Sequence, residues 1–194
     1  MTQTISGKEV YPRPVQDKLP LWIATGGHVE STVKIAQAGL PIVYAIIGGN
    51  PRYFKKLIQA YREIGSEAGH ASHELKVGAH SWGWIAEDGE QAVKDYFHPT
   101  KQVVDAISKD RPHWQELRYE QYLEQVGPNG AMFVGNPDQV AEKLIRMIED
   151  LGLARFMLHL PLGSMPHEQV LRAIELFGTQ VAPKVRAYFA MKEA

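Results

Sequence analysis

Two short apolar runs, each followed by a pair of glycines, constrain the fold more than any other feature of the sequence. Residues 19–25 read LPLWIAT and precede the glycines at 26–27, and residues 40–47 read LPIVYAII and precede the glycines at 48–49. Runs that are apolar at successive positions, rather than at every second one, are typical of strands buried on both faces of a sheet. The pattern therefore predicts two buried strands, each of which ends in a tight turn.

Two later segments, at 75–86 and near 154–161, have the same apolar character and are predicted as the third and fourth strands. Amphipathic helical patterns separate the strands, and they begin at turn or capping residues such as Pro51, Asp88 and Asn136. Strands that alternate with helices form right-handed βαβ units and a parallel sheet. The sequence thus predicts an α/β fold in which about four parallel strands are adjacent in sequence order, with flanking helices.

Composition and charge narrow the class of protein. The 194 residues, of which 44% are hydrophobic and 22% are charged, fit a single domain over 1–194. The net charge of −1 gives no reason to expect a nucleic-acid or membrane partner. The chain contains no cysteine, which excludes disulfides and thiolate metal sites, and it shows neither a signal sequence nor a long apolar run. We therefore expect a soluble cytoplasmic domain.

Several segments, taken in order, resemble the flavin-dependent, luciferase-like monooxygenase superfamily. They are PRPVQ at 12–16, LPLWIATGGHVES at 19–31, IIGGNP at 46–51, FVGNPDQVAEKL at 133–144, IELFG at 174–178 and VAPKVR at 181–186. The second segment is similar to the family's fifth barrel strand and its phosphate-binding turn. Nothing in the chain corresponds to strands one to four, and a whole barrel takes about 250 residues. The resemblance therefore implies a partial TIM-type (β/α) barrel, its C-terminal half.

The turn after the first predicted strand has the residues of a phosphate site. Its glycines let the backbone approach a ligand closely, and the helix start that follows presents unpaired N–H groups that suit an anion. The residues alone favour an ordinary tight turn in which Ser31 is a local cap. The second glycine turn, at 48–49, could flank the same ligand, and an ordinary turn before Pro51 is an equally good interpretation of it. The resemblance implies the phosphate of FMN, supplied in reduced form by a separate reductase, with a deazaflavin as the other possibility. The predicted cofactor-binding residues are Thr25, Gly26, Gly27, Ser31, Gly48 and Gly49.

His80, on the third predicted strand, is the candidate catalytic residue. It could act as an acid or base, or orient the edge of a flavin. A single histidine in a strand is more often a hydrogen-bonded packing residue, and His159 on the fourth strand is a weaker candidate. The eight histidines show no spacing typical of metal ligands, so no metal site is predicted.

The segment 98–132 has less regular patterning than the rest of the chain. Its aromatic and basic residues include Trp114, Tyr119, Tyr122, Arg111 and Arg118. In the family that the chain resembles, the stretch before the last strand can cover the substrate, so these residues could form a lid. The alternative is a peripheral helix that buries its aromatic side chains, and we favour it.

Two functions remain open at this point. One is an enzyme in which reduced FMN and oxygen act on a small organic substrate. The other is a non-catalytic module that binds flavin or pairs with another chain. A half-barrel leaves strand edges unpaired and one apolar sheet face open, so we expect either a homo-oligomer or a partner chain that supplies the missing half.

Overall fold

The computed structural model describes residues 6–7, 9, 11–17, 19–111 and 114–193, so part of the predicted N-terminal lead-in and residues 112–113 of the irregular segment lie outside it. The described residues form five strands and seven α-helices. The strands are β1 (Ile23–Thr25), β2 (Ile42–Ala45), β3 (Val77–Ile85), β4 (Phe133–Gly135) and β5 (Arg155–His159). The helices are α1 (Val29–Gln37), α2 (Phe54–Glu67), α3 (Gly89–Asp110), α4 (Tyr119–Val126), α5 (Pro137–Leu151), α6 (His167–Leu176) and α7 (Ala182–Glu193). A short helical turn, Pro51–Tyr53, precedes α2, and a wider one, Phe177–Val181, joins α6 to α7.

Strand β3 is the centre of a parallel sheet. It pairs with β2 along 77–80 and with β5 along 78–82, and its last three residues pair with β4. Strand β1 pairs with the other edge of β2. The predicted parallel arrangement of four strands in sequence order is confirmed. The sequence does not predict β4, because its three residues stand between a turn and a helix cap and are too few to form a pattern.

Helix α3 corrects the prediction of an irregular segment at 98–132. It continues without a break through Pro99 as far as Asp110. Proline has no N–H and usually ends or kinks a helix, which is why the pattern indicated an irregular region. The helix nevertheless continues on both sides of Pro99, and the Thr100 hydroxyl donates a hydrogen bond of 2.6 Å to the carbonyl oxygen of Tyr96, one turn earlier.

Two predicted helix starts are confirmed by their capping bonds. The Asp88 carboxylate accepts the N–H of Glu90 at 2.8 Å before α3. The side chains of Asn136 and Gln139 each accept the other residue's backbone N–H before α5. Such caps satisfy N–H groups that a helix leaves free in its first turn, and they fix where the helix begins. Helix α5 ends at Gly152, whose φ of 62° is left-handed.

Helices cover one face of the sheet. Tyr44 of β2 is fully buried on this outer face, where its hydroxyl lies 3.2 Å from that of Thr32 in α1. Its ring meets Phe54 of α2 edge-to-face at 5.5 Å. Burial raises the pKa of the Tyr44 phenol, with the Thr32 hydrogen bond opposing it. The outer face therefore holds the main core.

The opposite, inner face of the sheet is partly open. Side chains alternate along a strand, so His80 and Trp82 of β3 share this face with Met157 and His159 of β5, to which they pair in register. Met157 is 37% exposed, whereas Trp82 is only 5% exposed. The inner face is therefore covered near the carboxyl end of β3 and open beside it. In the described part of the chain, each helix is too short or too polar to span a membrane.

Candidate functional site

The turn between β1 and α1 lies at the carboxyl end of the sheet. It is ordered by the N–H of Gly27, which donates to Thr25 Oγ1 at 3.3 Å. Helix α1 then begins after His28, and among the described residues no side chain caps its first turn. The first N–H groups of an α-helix have no partner within the helix, so they are available to an anion. Ser31, the third residue of α1, is half-buried there.

The two glycines of this turn have different structural roles. A Cβ on Gly27 would lie 2.9 Å from the ring of Phe54, and Gly27 has a φ of 99°. The packing of α2 and the backbone conformation both require glycine at this position. A Cβ on Gly26 would meet no heavy atom of the described chain within 4 Å. Only Gly26 therefore leaves open space in which a ligand could approach the backbone.

A second glycine turn lies beside the first. Residues Thr25 and Tyr44 are paired in register, so the segment after β2 begins at the same edge of the sheet. Gly48 and Gly49 are exposed, and a Cβ on either would contact nothing within 4 Å among the described atoms. Asn50 ends the turn, since its side chain accepts the N–H of Arg52 at 3.0 Å. The two turns that the sequence predicted as one binding edge are therefore neighbours.

His80 lies on the inner face, where it is half-buried. Its ring centroid is 5.6 Å from that of His159, which is exposed. Burial, and to a smaller extent the neighbouring His159, lower the pKa of His80. A neutral imidazole with one donor and one acceptor nitrogen is therefore favoured at pH 7. Among the described residues, no three His, Asp or Glu side chains are arranged to hold a metal ion.

The aromatic residues of the predicted lid lie in two different places. Tyr122 is fully buried in the core, where its hydroxyl donates to the carbonyl oxygen of Val93 at 2.8 Å. Tyr119 is 42% exposed and stacks on Tyr122 rather than covering the sheet. Trp114 alone packs over the inner face, with its ring centroid 6.2 Å from that of Trp82. The structure thus fits a peripheral helix for α4, which buries Tyr122, and leaves Trp114 at the mouth of a cleft. Arg111 and Arg118 are exposed.

Sequence reasoning missed Lys143, the one charged side chain among the buried residues of α5. It is 8% exposed, and its ammonium donates to the carbonyl oxygens of Gly127 and Met132 at 2.6 Å and of Val126 at 3.0 Å. Burial, with a smaller contribution from Arg146, lowers its pKa to about 7. Lys143 therefore fixes the loop that leads from α4 into β4. The available signal was a lysine on the apolar face of a strongly amphipathic helix.

A sequence model of luciferase-like monooxygenases matches residues 2–155. No sequence among the curated proteins matches the chain.

Several solved structures have a fold similar to that of this chain. The monooxygenase RslO1 of Streptomyces bottropensis superimposes with a TM-score of 0.72 at 21% identity, over 89% of this chain and 50% of that one. The oxygenating constituent of 3,6-diketocamphane monooxygenase of Pseudomonas putida, solved with FMN, gives 0.57 at 17% identity, over 84% and 48%. The coenzyme F420-dependent tetrahydromethanopterin reductase of Methanopyrus kandleri gives 0.58 at 18%, over 85% and 50%. At these identities the likeness concerns the fold, and the chain spans about half the length of each structure.

Proposed function

Because the chain belongs to the luciferase-like monooxygenase family, we propose that it binds FMN and contributes to the oxidation of a small organic substrate by reduced flavin and oxygen. The observation that supports this most is the uncapped first turn of α1 beside the open backbone of Gly26. A phosphate at a helix N-terminus gains both hydrogen bonds and the helix dipole. The second glycine turn, at 48–49, would line the same ligand.

The residues present fit a flavin phosphate. The proposed contacts are backbone N–H groups at the start of α1, the hydroxyl of Ser31, and the open backbone of Gly26, Gly48 and Gly49. Thr25 would act indirectly, since its hydroxyl oxygen already orders the turn by accepting the N–H of Gly27. Gly27 would also act indirectly, by allowing α2 to pack against the turn.

Bound reduced flavin would supply the electrons that activate oxygen. The chain's own residues would position it and manage protons near it. His80 is suited to exchange a proton at one ring nitrogen, because its lowered pKa keeps the imidazole neutral at pH 7. Its place on the inner face, on the strand next to β2, puts it on the side of the sheet that a barrel encloses.

We also propose that the working unit contains more than this one chain. The chain spans about half of the structures it resembles, and the inner face exposes side chains such as Met157. A second copy, or a chain that supplies the remaining strands, would cover that face and complete the substrate site. The second candidate function, a non-catalytic module that binds flavin or a partner, is favoured by the same half-length coverage.

FMN binding tests the proposed cofactor site. Titration of FMN, followed by quenching of its fluorescence, should give binding that Ser31→Ala weakens about ten- to hundredfold, as expected for one phosphate hydrogen bond. Gly26→Val should weaken it by blocking the backbone. Gly178→Val is the matched control, because Gly178 is exposed, far along the chain and equally free of contacts among the described residues. Gly27→Val is unsuitable, since it would clash with Phe54 whether or not a ligand binds.

The outcome separates the candidates. Unchanged FMN affinity in both Ser31→Ala and Gly26→Val would show that the site is misplaced. Binding without substrate oxidation, in the presence of a flavin reductase and oxygen, would favour the non-catalytic module. Stronger binding of a deazaflavin than of FMN would reassign the cofactor.

A further inference from the structure

A cleft of about 420 Å³ opens at the carboxyl ends of β2 and β3, next to the Gly48–Gly49 turn. Three parts of the chain form its walls: the segment after β2, the inner face of β3, and the segment from α3 to β4. The side chains lining it are mostly apolar or amide-bearing. They include Ile47, Trp82, Val104, Trp114, Leu117 and Gln125. Its size falls within the range of roughly 300–1,000 Å³ that is usual for small-molecule sites.

Two indole rings give the cleft its chemical character. Trp82 is buried and forms part of the wall, and its ring is tilted 47° from that of Trp114. Trp114 is only half-buried, so part of its ring remains open to the cleft. A half-exposed indole offers a flat, polarizable surface on which an aromatic ring packs better than a bulky saturated one. The shape of the wall therefore favours a planar ligand.

The polar groups of the cleft favour a neutral ligand. Glu124 supplies the one charge among the described residues that line it, and that charge is negative. Gln115, Gln121 and Gln125 supply side-chain amides. An amide donates and accepts hydrogen bonds without carrying a charge. A ligand with a hydroxyl or amide N–H group fits this lining, whereas an anion would meet the carboxylate of Glu124.

We propose that this cleft binds a flat, neutral aromatic molecule that carries a hydroxyl or amide donor, and that such a molecule is the substrate. Its role as substrate rests on the proposed flavin-dependent function, because the Gly48–Gly49 turn borders both the cleft and the cofactor site. Trp114 is the residue that selects for planarity, and the side-chain amides of the lining bind the donor.

Three related probes test the ligand class on the unmodified protein. Calorimetric titration should show binding of naphthol. Decahydronaphthol, which has the same ring skeleton but is not flat, should bind about three- to tenfold more weakly. Naphthalenesulfonate, which keeps the rings but is an anion, should bind at least about tenfold more weakly. Equal affinity for all three probes, or preference for the sulfonate, would overturn the proposal.

Substitutions test whether naphthol binds in this cleft. Trp114→Leu should weaken naphthol binding about three- to tenfold, and Trp114→Phe should restore most of the loss. Tyr53→Leu is the matched control and should change nothing, because Tyr53 follows the same glycine turn but is 78% exposed and outside the cleft. If Trp114→Leu binds naphthol as tightly as the unmodified protein, the cleft is not the site. The three-probe series still decides the ligand class if Trp114→Leu does not fold.

The proposed cofactor site and the proposed aromatic-binding cleft can be refuted separately. Loss of FMN binding in Ser31→Ala with normal naphthol binding supports two separate sites. Naphthol binding that depends on Trp114 in a protein that binds no flavin would refute the cofactor proposal and keep the cleft as an aromatic-binding site. FMN binding without any naphthol binding would refute the cleft alone.

Discussion

Replacing Lys143 by methionine should lower the free energy of unfolding by about 3 kcal/mol. The three shorter bonds of its ammonium, to the carbonyl oxygens of Val126, Gly127 and Met132, measure 2.6–3.0 Å. A hydrogen bond to a charged group contributes about 1.5–3 kcal/mol, which gives roughly 4.5–9 kcal/mol for three. Burial of the ammonium costs several kcal/mol of this gain. Methionine keeps the unbranched stem, so little cavity forms and the net loss should be about 2–4 kcal/mol.

Thermal unfolding followed by circular dichroism measures this loss. For a domain of this size, about 3 kcal/mol corresponds to a decrease in Tm of roughly 6–12 °C. Hydrogen exchange adds a local test: the N–H of Met132, which donates to the carbonyl oxygen of Gln125 at 2.9 Å, should exchange faster in the variant. Arg146→Met is the control on the same helix, since Arg146 is exposed, and should stay within about 0.5 kcal/mol of the unmodified protein.

A Lys143→Met variant as stable as the control would refute this reasoning. It would mean that water or a rearranged loop satisfies the carbonyl oxygens equally well. Normal exchange at Met132 together with a lower Tm would place the lost stability elsewhere in the core.

The pKa of Lys143 and the contacts of three other parts of the chain give four more predictions. Burial lowers the pKa of Lys143 to about 7 from 10.5, so between these values the folded state binds fewer protons than the unfolded state and the contribution of Lys143 to stability rises with pH. Urea titrations should show that Lys143→Met loses more stability at pH 9 than at pH 7, and an equal loss at both pH values would contradict this. Gly27→Val should lower stability by about 1–3 kcal/mol and Gly26→Val by less than about 0.5 kcal/mol, measured in urea without ligand; equal effects would contradict the different roles of the two glycines. Tyr122→Phe should cost about 1 kcal/mol through its lost hydrogen bond, and an unchanged Tm would mean that water replaces the bond. Sedimentation at low micromolar concentration should show self-association that Met157→Glu weakens, and a monomer that binds no apolar dye would refute it.

Much of the sheet could be predicted because its strands are continuous apolar runs. The runs at 40–47 and 75–86 enclose β2 and β3, whose described residues are almost all buried. Strand β4 and the full length of α3 could not be predicted in the same way. Strand β4 has only three residues. Helix α3 passes through Pro99, and a proline at that position normally indicates the end of a helix. The pairing of β4 with β3 is a tertiary contact, which residue spacing does not encode.

The site shows a sharper limit of sequence reasoning. A glycine that faces a ligand and a glycine that makes room for a neighbouring helix have the same sequence signature. Gly26 and Gly27 are adjacent, yet only Gly27 is held by Phe54, a residue 27 positions further along the chain. The cleft could not be predicted either, because Trp82 and Trp114 are far apart in the sequence and come into contact only in the folded chain. The sequence therefore indicated the edge of the sheet at which the site is proposed, but not the structural role of each residue in it.

The composition of the inner face determines what can cover it. An open apolar face was expected, but in the structure His80, Arg155 and His159 share this face with Met157. The guanidinium of Arg155 lies 4.6 Å from the centroid of the Trp22 ring. Trp82, the most apolar part, is already covered by the segment that contains Trp114. Burial of the remaining area at about 25 cal/mol per Å² would therefore be offset by the desolvation of polar groups.

A covering surface must accordingly offer hydrogen-bond acceptors or carboxylates opposite these groups as well as apolar contacts. If two identical chains met through this face, Arg155 and the two histidines of one copy would lie against the same side chains of the other copy, unless the two faces were displaced relative to each other. A chain of different sequence meets the requirement without that penalty. Self-association that strengthens as the salt concentration rises would identify paired copies whose like charges oppose each other, and association that weakens as salt rises would identify an acidic partner surface.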